Sequence, residues 1–142
     1  MVILIADLIR LIYCSQPFGY DLPTLSGILL DARNRNTQDG ITGALVCRHD
    51  IYLQMLEGAE ASVNAAFARI KRDDRHANIK TLVSEQMPDR LFGAWAMLHD
   101  PEKSWIWSEA EISQGALDRA SSSDVTTVFA NLAAKVKGGD AT

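Results

Sequence analysis

Three observations predict an α+β fold built on a ferredoxin-like βαββαββ sheet. Short runs rich in Ile, Leu, Val and Tyr alternate with two amphipathic helical stretches in that order. The central runs are apolar on both alternating sets of positions, so both faces of the sheet need cover. A further helical stretch follows the last run. The expectation is therefore two helices on one face and a C-terminal helical extension on the other. The chain has 142 residues, 47% of them apolar, which is room for one such core and a short extension. The division is expected at 1–100 and 101–142.

The elements follow in order. Leu8 to Ser15 (LIRLIYCS) reads as the first strand, and Gln16 to Tyr20, with Pro17 and Gly19, as a loop. Asp21 can cap a helix and Pro23 suits its first turn. Leu22, Leu25, Ile28, Leu29 and Ala32 then recur at helical spacing, carrying that helix to about Asn36. Arg33 and Arg35 fall in its expected last turn, and Gly40 ends the passage. Ile41–Arg48 and Ile51–Leu56 form two short β-rich runs with a hairpin-length connection, closed by Glu57 and Gly58. Val63, Ala66, Phe67 and Ile70 mark a second helix, ended by the cluster Lys71 to His76. Asn78–Glu85 and Trp95–Leu98 are the fourth and fifth strands. In the tail, Glu109–Asp118 is a weak helix. Ser123 or Asp124 caps a last one, whose apolar face is Val125, Val128, Phe129, Leu132 and Val136, before Gly138-Gly139.

The charge balance, 14 basic against 18 acidic residues for a net −4, disfavours a nucleic-acid coat or an anionic-membrane binder. At 23% charged residues the composition is that of an ordered domain. Apolar runs fall well short of the ~18 residues of a membrane span. The start, MVILIADLIRLIY, is interrupted by Asp7 and Arg10 and lacks a basic lead and a cleavage signal, so a first strand is expected rather than a secretory leader. Cys14 and Cys47 form no CxxC and bring no zinc-like ligand set. Buried free thiols and a cytoplasmic location are expected.

Several polar residues sit in apolar surroundings. Gln54 lies inside YLQML, where an amide costs roughly 1–3 kcal/mol unless hydrogen-bonded. Taken singly, Gln54 is a structural amide, Tyr13 a core tyrosine with its hydroxyl at a rim, Asn36 a helix C-cap, the Asp73–His76 cluster a solvated helix end, and Trp95 and Met97 core residues. Taken together they describe a ligand cradle. The first and third strands of such a unit are neighbours, so Tyr13 and Gln54 meet over the groove between the helices, with Asn36 closing one side and the basic cluster the other. A flat polar heterocycle wants amides at its edge, apolar walls for its faces and cations near a phosphate tail. No GxSxG, HExxH, P-loop or GxGxxG occurs, so a nucleophile is missing.

At these residues the sequence resembles the BLUF family, blue-light sensors that use flavin. The segments that carry it are LIYCS with Tyr13, ARNRNTQDGITGALV with Asn36, YLQMLEG with Gln54, RIKRDDRH from Arg69 to His76, and FGAWAM with Trp95 and Met97. The resemblance spans roughly residues 8 to 100 and implies a short stand-alone photosensor rather than an enzyme. It implies a non-covalent flavin, normally FAD, with FMN or riboflavin as further forms. It also implies that Tyr13 is the photo-active tyrosine, Gln54 the switching glutamine and Asn36 the contact to the ring edge. Arg69, Asp73, Arg75 and His76 would reach the ribityl chain, phosphate and ring edge, and Ile28, Ile41 and Ile70 would form apolar walls. Trp95 and Met97 would be the fifth-strand pair linked to output, with Ala96 standing between them where Ser is commoner. The tail carries no recognisable enzyme domain, so the implied output passes in trans to a signalling protein, such as a cyclic-dinucleotide enzyme or a transcription regulator, or through a homo-oligomer.

Other readings use the same scaffold. An acylphosphatase-like hydrolase wants an Arg in the loop after the first strand, where Gln16-Pro17-Phe18-Gly19-Tyr20 has none. An RNA-binding sheet wants exposed aromatics on its central strands and a basic face. A flavin-free interaction module has no use for Tyr13, Asn36 and Gln54 together. Colour separates it from the flavin reading, because a flavoprotein is yellow.

Overall fold

A computed structural model describes residues 8–17, 22–48, 51–73, 76–93, 95–101 and 107–137. The β-rich runs form a five-stranded sheet from β1 (Leu8–Pro17), β2 (Thr42–Arg48), β3 (Ile51–Ala59), β4 (His76–Gln86) and β5 (Leu98–Pro101), in the order β4-β1-β3-β2-β5. β1 pairs antiparallel with β3 and β4, β2 antiparallel with β3, and β5 parallel with β2. The first four strands with helices α1 (Leu22–Asp39) and α2 (Glu60–Lys71) have the expected ferredoxin-like order.

Strand alternation sorts the buried side chains into two cores. Ile9, Leu11, Tyr13, Ile41, Leu45, Tyr52 and Leu56 face α1 and α2, where Leu29, Val63, Ala66 and Phe67 meet them. Ile12, Cys14, Ala44, Val46, Leu53, Met55 and Val83 point the other way. They pack against α5 (Ser122–Lys137) through Val125, Val128, Phe129 and Leu132. The tail therefore covers the open face, as the two-sided strands require. Two short helices precede α5, where the sequence suggests one weak helix: α3 (Glu109–Ser113) and α4 (Ala116–Arg119), split by Gly115 at φ +90°. Leu117 of α4 joins the tail-side core, and Lys80 of β4 donates to Asp118.

Boundaries differ from the expectations for identifiable reasons. α1 runs on to Asp39 because Gly40, at φ +69°, closes it with a left-handed turn in which Ile41 N donates to Asn36 O at 2.9 Å. Asn36 is consequently inside the helix and is no C-cap, and Arg33 and Arg35 precede its last turn. β1 continues through Gln16 to Pro17. β3 continues past Leu56 to Ala59, so Glu57 and Gly58 are strand residues rather than a closing turn. β4 gains a residue or two at each end. α5 is capped by Ser121, whose hydroxyl accepts from Asp124 N at 3.0 Å while Asp124 returns an acceptor to Ser121 N at 3.2 Å. The expected caps Ser123 and Asp124 are thus inside the helix. The fifth strand starts at Leu98, not Trp95, and the preceding residues bond to side chains and to Gly43 instead of to a ladder. Gly43 tolerates no larger residue, since a Cβ there would lie 1.9 Å from Met55 O. Asp21, the hairpin residues His49 and Asp50, and Gly138-Gly139 lie outside the described residues, as do the side chains of Cys47 and Val136. Cys14 is a buried free thiol, and burial pushes its pKa up.

Phe129 is completely buried and meets Phe92 edge-to-face, with ring centroids 6.3 Å apart. Phe129→Ala is expected to lower stability by about 3–5 kcal/mol, measured as a shifted urea-unfolding midpoint.

Candidate functional site

Register brings the key pair together. Tyr13 on β1 stands directly across from Gln54 on β3, both facing the two helices. The Tyr13 hydroxyl donates to Gln54 Oε1, and Gln54 Nε2 donates to the Met97 Sδ at 3.4 Å. Gln54 is thus held at both ends of its amide, in a position where only 4% of its surface is exposed. Tyr13 also packs on Phe67 of α2, centroids 5.3 Å apart. Burial, reinforced by the Asp73 carboxylate, holds the Tyr13 phenol well above the usual tyrosine range.

Beside this pair lies a cavity of about 290 Å³ between α1 and α2. Its α1 wall is Ile28, Asp31, Ala32, Arg35 and Asn36, residues at i, i+3, i+4, i+7 and i+8 on one helix face. Opposite stand Ala66, Arg69 and Ile70 of α2, at i, i+3 and i+4, followed by Arg72 and Asp73 just past the helix end. Tyr13, Gln54 and Leu56 form the floor. The volume sits at the low end of the ~300–1,000 Å³ usual for small-molecule sites. It has room for a flat ring, and a longer attached chain would extend past the rim. Apolar side chains supply the ring's walls, the Gln54 and Asn36 amides supply donors and acceptors at its edge, and the arginines supply positive charge. The residues present fit a flavin on these grounds. Arg69 Nη2 pairs with Asp39 Oδ2 at 3.1 Å, linking the ends of the two helices across the cleft.

Of the residues singled out from sequence, Tyr13, Ile28, Asn36, Gln54, Arg69, Ile70 and Asp73 meet on this cavity. Ile41 does not line it and is buried in the neighbouring core. Arg75 lies outside the described residues, and His76 opens β4 with its side chain outside them. Met97 is buried against Gln54, but Trp95 is 36% exposed rather than part of the core, and neither belongs to β5. The segment carrying them is fixed from α1, where Asn36 Nδ2 donates to Ala96 O at 2.9 Å and Arg33 Nε donates to Met97 O at 3.1 Å. Because the acceptor at residue 96 is the backbone carbonyl, Ala serves there as well as Ser. Sequence reasoning missed Arg33, Asp31, Arg35 and Arg72. Helical spacing from Ile28 was the available signal for Asp31 and Arg35; nothing in the sequence marks Arg33.

No helix among the described residues is long and apolar enough to cross a membrane. The family described as "BLUF: Sensors of blue-light using FAD" matches residues 8–98. The chain is 31% identical over 80 residues to the photoactivated adenylate cyclase subunit beta of Euglena gracilis, covering 56% of this chain and 9% of that protein. It is 38% identical over 66 residues to the blue light- and temperature-regulated antirepressor BluF of Escherichia coli (strain K12), covering 46% of this chain and 16% of that one. The chain thus spans only a small part of these relatives. Among solved structures, the dark state of BlrB, a BLUF protein, superposes with a TM-score of 0.77 at 26% identity, covering 93% of this chain and 99% of that one. With the paired Tyr13 and Gln54 at the floor of a flavin-sized cleft and a family match over most of the sheet, the chain belongs to the BLUF family of flavin-binding blue-light sensors.

Proposed function

We propose that light is sensed through a hydrogen-bond switch centred on Gln54, with FAD as the flavin in the α1–α2 cavity, and that the signal passes to a separate regulatory protein. The observation that carries this reading is the Gln54 amide, which is bonded through its oxygen to Tyr13 and through its nitrogen to Met97 while lining the cavity. When bound, flavin supplies the blue absorption and an excited state that accepts an electron. Tyr13 is the donor: a phenol gives up an electron readily, and its proton already lies on a bond to Gln54. Gln54 has an accepting end and a donating end. Once the electron and proton have returned to Tyr13, exchanged ends would change what the cavity meets and what Met97 receives, with nothing oxidised or reduced overall. Asn36 would hold the ring edge, Ile28 and Ile70 would flank the ring, and Arg69, Asp73, Arg75 and His76 would serve the chain and phosphates.

Residues 1–100 form the sensing unit in this reading, and 101–142 an extension that carries output. The packing of α5 on the sheet supports a direct route from the sheet to the extension. The names of two relatives, an adenylate cyclase and an antirepressor, support a cyclic-nucleotide enzyme or a transcription regulator as the class of partner. The exposed Trp95, beside the Gln54–Met97 contact, is a surface through which a partner or a second copy reads the switch. The buried Cys14 thiol suits a reducing, cytoplasmic setting.

Gln54→Ala is expected to retain flavin and lose the reversible red shift under blue light, read by difference spectroscopy; a wild-type shift overturns the switch. Tyr13 gives a second outcome. Its folded-state pKa is raised above the unfolded value of ~10, so its contribution to stability is complete below about pH 10 and is lost as pH rises further. Unfolding measured from pH 8 upward is expected to show wild type losing stability above about pH 10 more steeply than Tyr13→Phe.

A further inference from the structure

Glu57 is the one buried carboxylate among the described residues, and the cavity does not use it. It lies three residues beyond Gln54 on β3, on the opposite face of the sheet. Arg10 stands across from it on β1, with its guanidinium turned to Glu85. Both Glu57 oxygens hold the chain between β4 and β5. Oε2 accepts from Leu91 N at 2.6 Å, and Oε1 accepts from Phe92 N at 3.0 Å and from Thr42 Oγ1 at 3.0 Å. Arg90 closes the arrangement, its Nη1 donating to Thr42 Oγ1 at 3.0 Å and to Glu57 O at 3.1 Å.

From this anchor the chain rounds the β2 edge. Phe92 O accepts from Trp95 N at 2.9 Å, Trp95 O accepts from Gly43 N at 3.1 Å, and Met97 arrives against Gln54 on the cavity face. Phe92 itself stays on the tail side, against Phe129 of α5. The segment is thus gripped from both faces of the sheet: by Glu57 behind, and by Asn36, Arg33 and Gln54 in front.

We propose that Glu57 is a positioning residue for the light response: its carboxylate fixes Leu91 and Phe92, and so holds Met97 at the place that favours the dark orientation of Gln54. It touches neither the cavity nor the switch pair and acts through the backbone of the segment. A segment held this way resists the altered amide and drives its return. Loosening it lets Met97 accommodate either orientation, so the light state lasts longer. The inference rests on the Gln54–Met97 contact being part of the switch.

The test is Glu57→Gln, which keeps the size of the side chain but sets an N–H₂ against donors that now meet oxygen. Flavin-loaded wild type and variant receive a blue pulse, and the decay of the red-shifted absorbance is followed in the dark. Val83→Ala, a buried β4 position at the far edge of the sheet, reports the effect of lost stability alone. Recovery is expected to slow by about threefold or more in Glu57→Gln and to stay within about twofold of wild type in Val83→Ala. Thr42→Val, which removes one donor to the carboxylate, is expected to slow recovery in the same direction and carries the test where Glu57→Gln does not accumulate as a flavoprotein. A normal wild-type photocycle with recovery unchanged in the Glu57 and Thr42 variants, or slowed equally in Val83→Ala, overturns the assignment to Glu57 alone. A flavin-loaded wild type with no red shift overturns the switch itself, and this inference with it.

Discussion

The structure depends on one amide that must satisfy its hydrogen bonds inside an apolar sheet. Gln54 has nearly no contact with bulk water, so each end of its side chain needs a protein or ligand partner. Tyr13 meets the oxygen because antiparallel register sets it opposite, and Met97 meets the nitrogen because the β4–β5 chain is drawn in from two sides. A thioether is a weak acceptor. The Tyr13 end of the amide is therefore held more firmly than the Met97 end, and the weaker contact is the one made by the β4–β5 segment.

The helices contribute their faces rather than their ends. α1 presents an i, i+3, i+4, i+7 stripe to the cleft and α2 presents Ala66, Arg69 and Ile70, so helix faces line most of the cavity, with Arg72 and Asp73 added just past the end of α2. The side chains that reach beyond the stripes serve a different purpose. Arg33 and Asn36 spend donors on backbone carbonyls of the β4–β5 segment, so α1 both bounds the ligand space and holds the element beside it. A change at Asn36 therefore disturbs the binding surface and the segment at once.

Much of this was legible in the sequence. Two-sided apolar strands demand two layers of cover, and the helical spacing of Ile28 to Asn36 and Val63 to Ile70 marked the faces that form the cleft. What remained hidden rests on partners distant in sequence. Trp95 to Leu98 reads as a strand by composition, yet the hydrogen bonds of Trp95, Ala96 and Met97 go to Gly43, Asn36 and Arg33, and no local pattern shows that. Glu57 followed by Gly58 reads as a turn. The donors that make Glu57 a strand residue with a buried carboxylate lie more than thirty positions away, at Leu91 and Phe92. Helix ends erred where a glycine or serine just outside the expected boundary supplied the cap, as at Gly40 and Ser121.

The two cores share the sheet but almost no side chains, because alternation sends each strand residue to one face or the other. Substitutions among Val125, Val128 and Leu132 change how the tail packs on the sheet without touching the walls of the cleft, and substitutions on the cleft leave the tail-side core in place. Selection can therefore act on the cleft and on the tail-side packing as nearly independent traits. Among the described residues the two sides are joined where the chain from Phe92 to Met97 passes around the β2 edge, with Phe92 in one core and Met97 in the other.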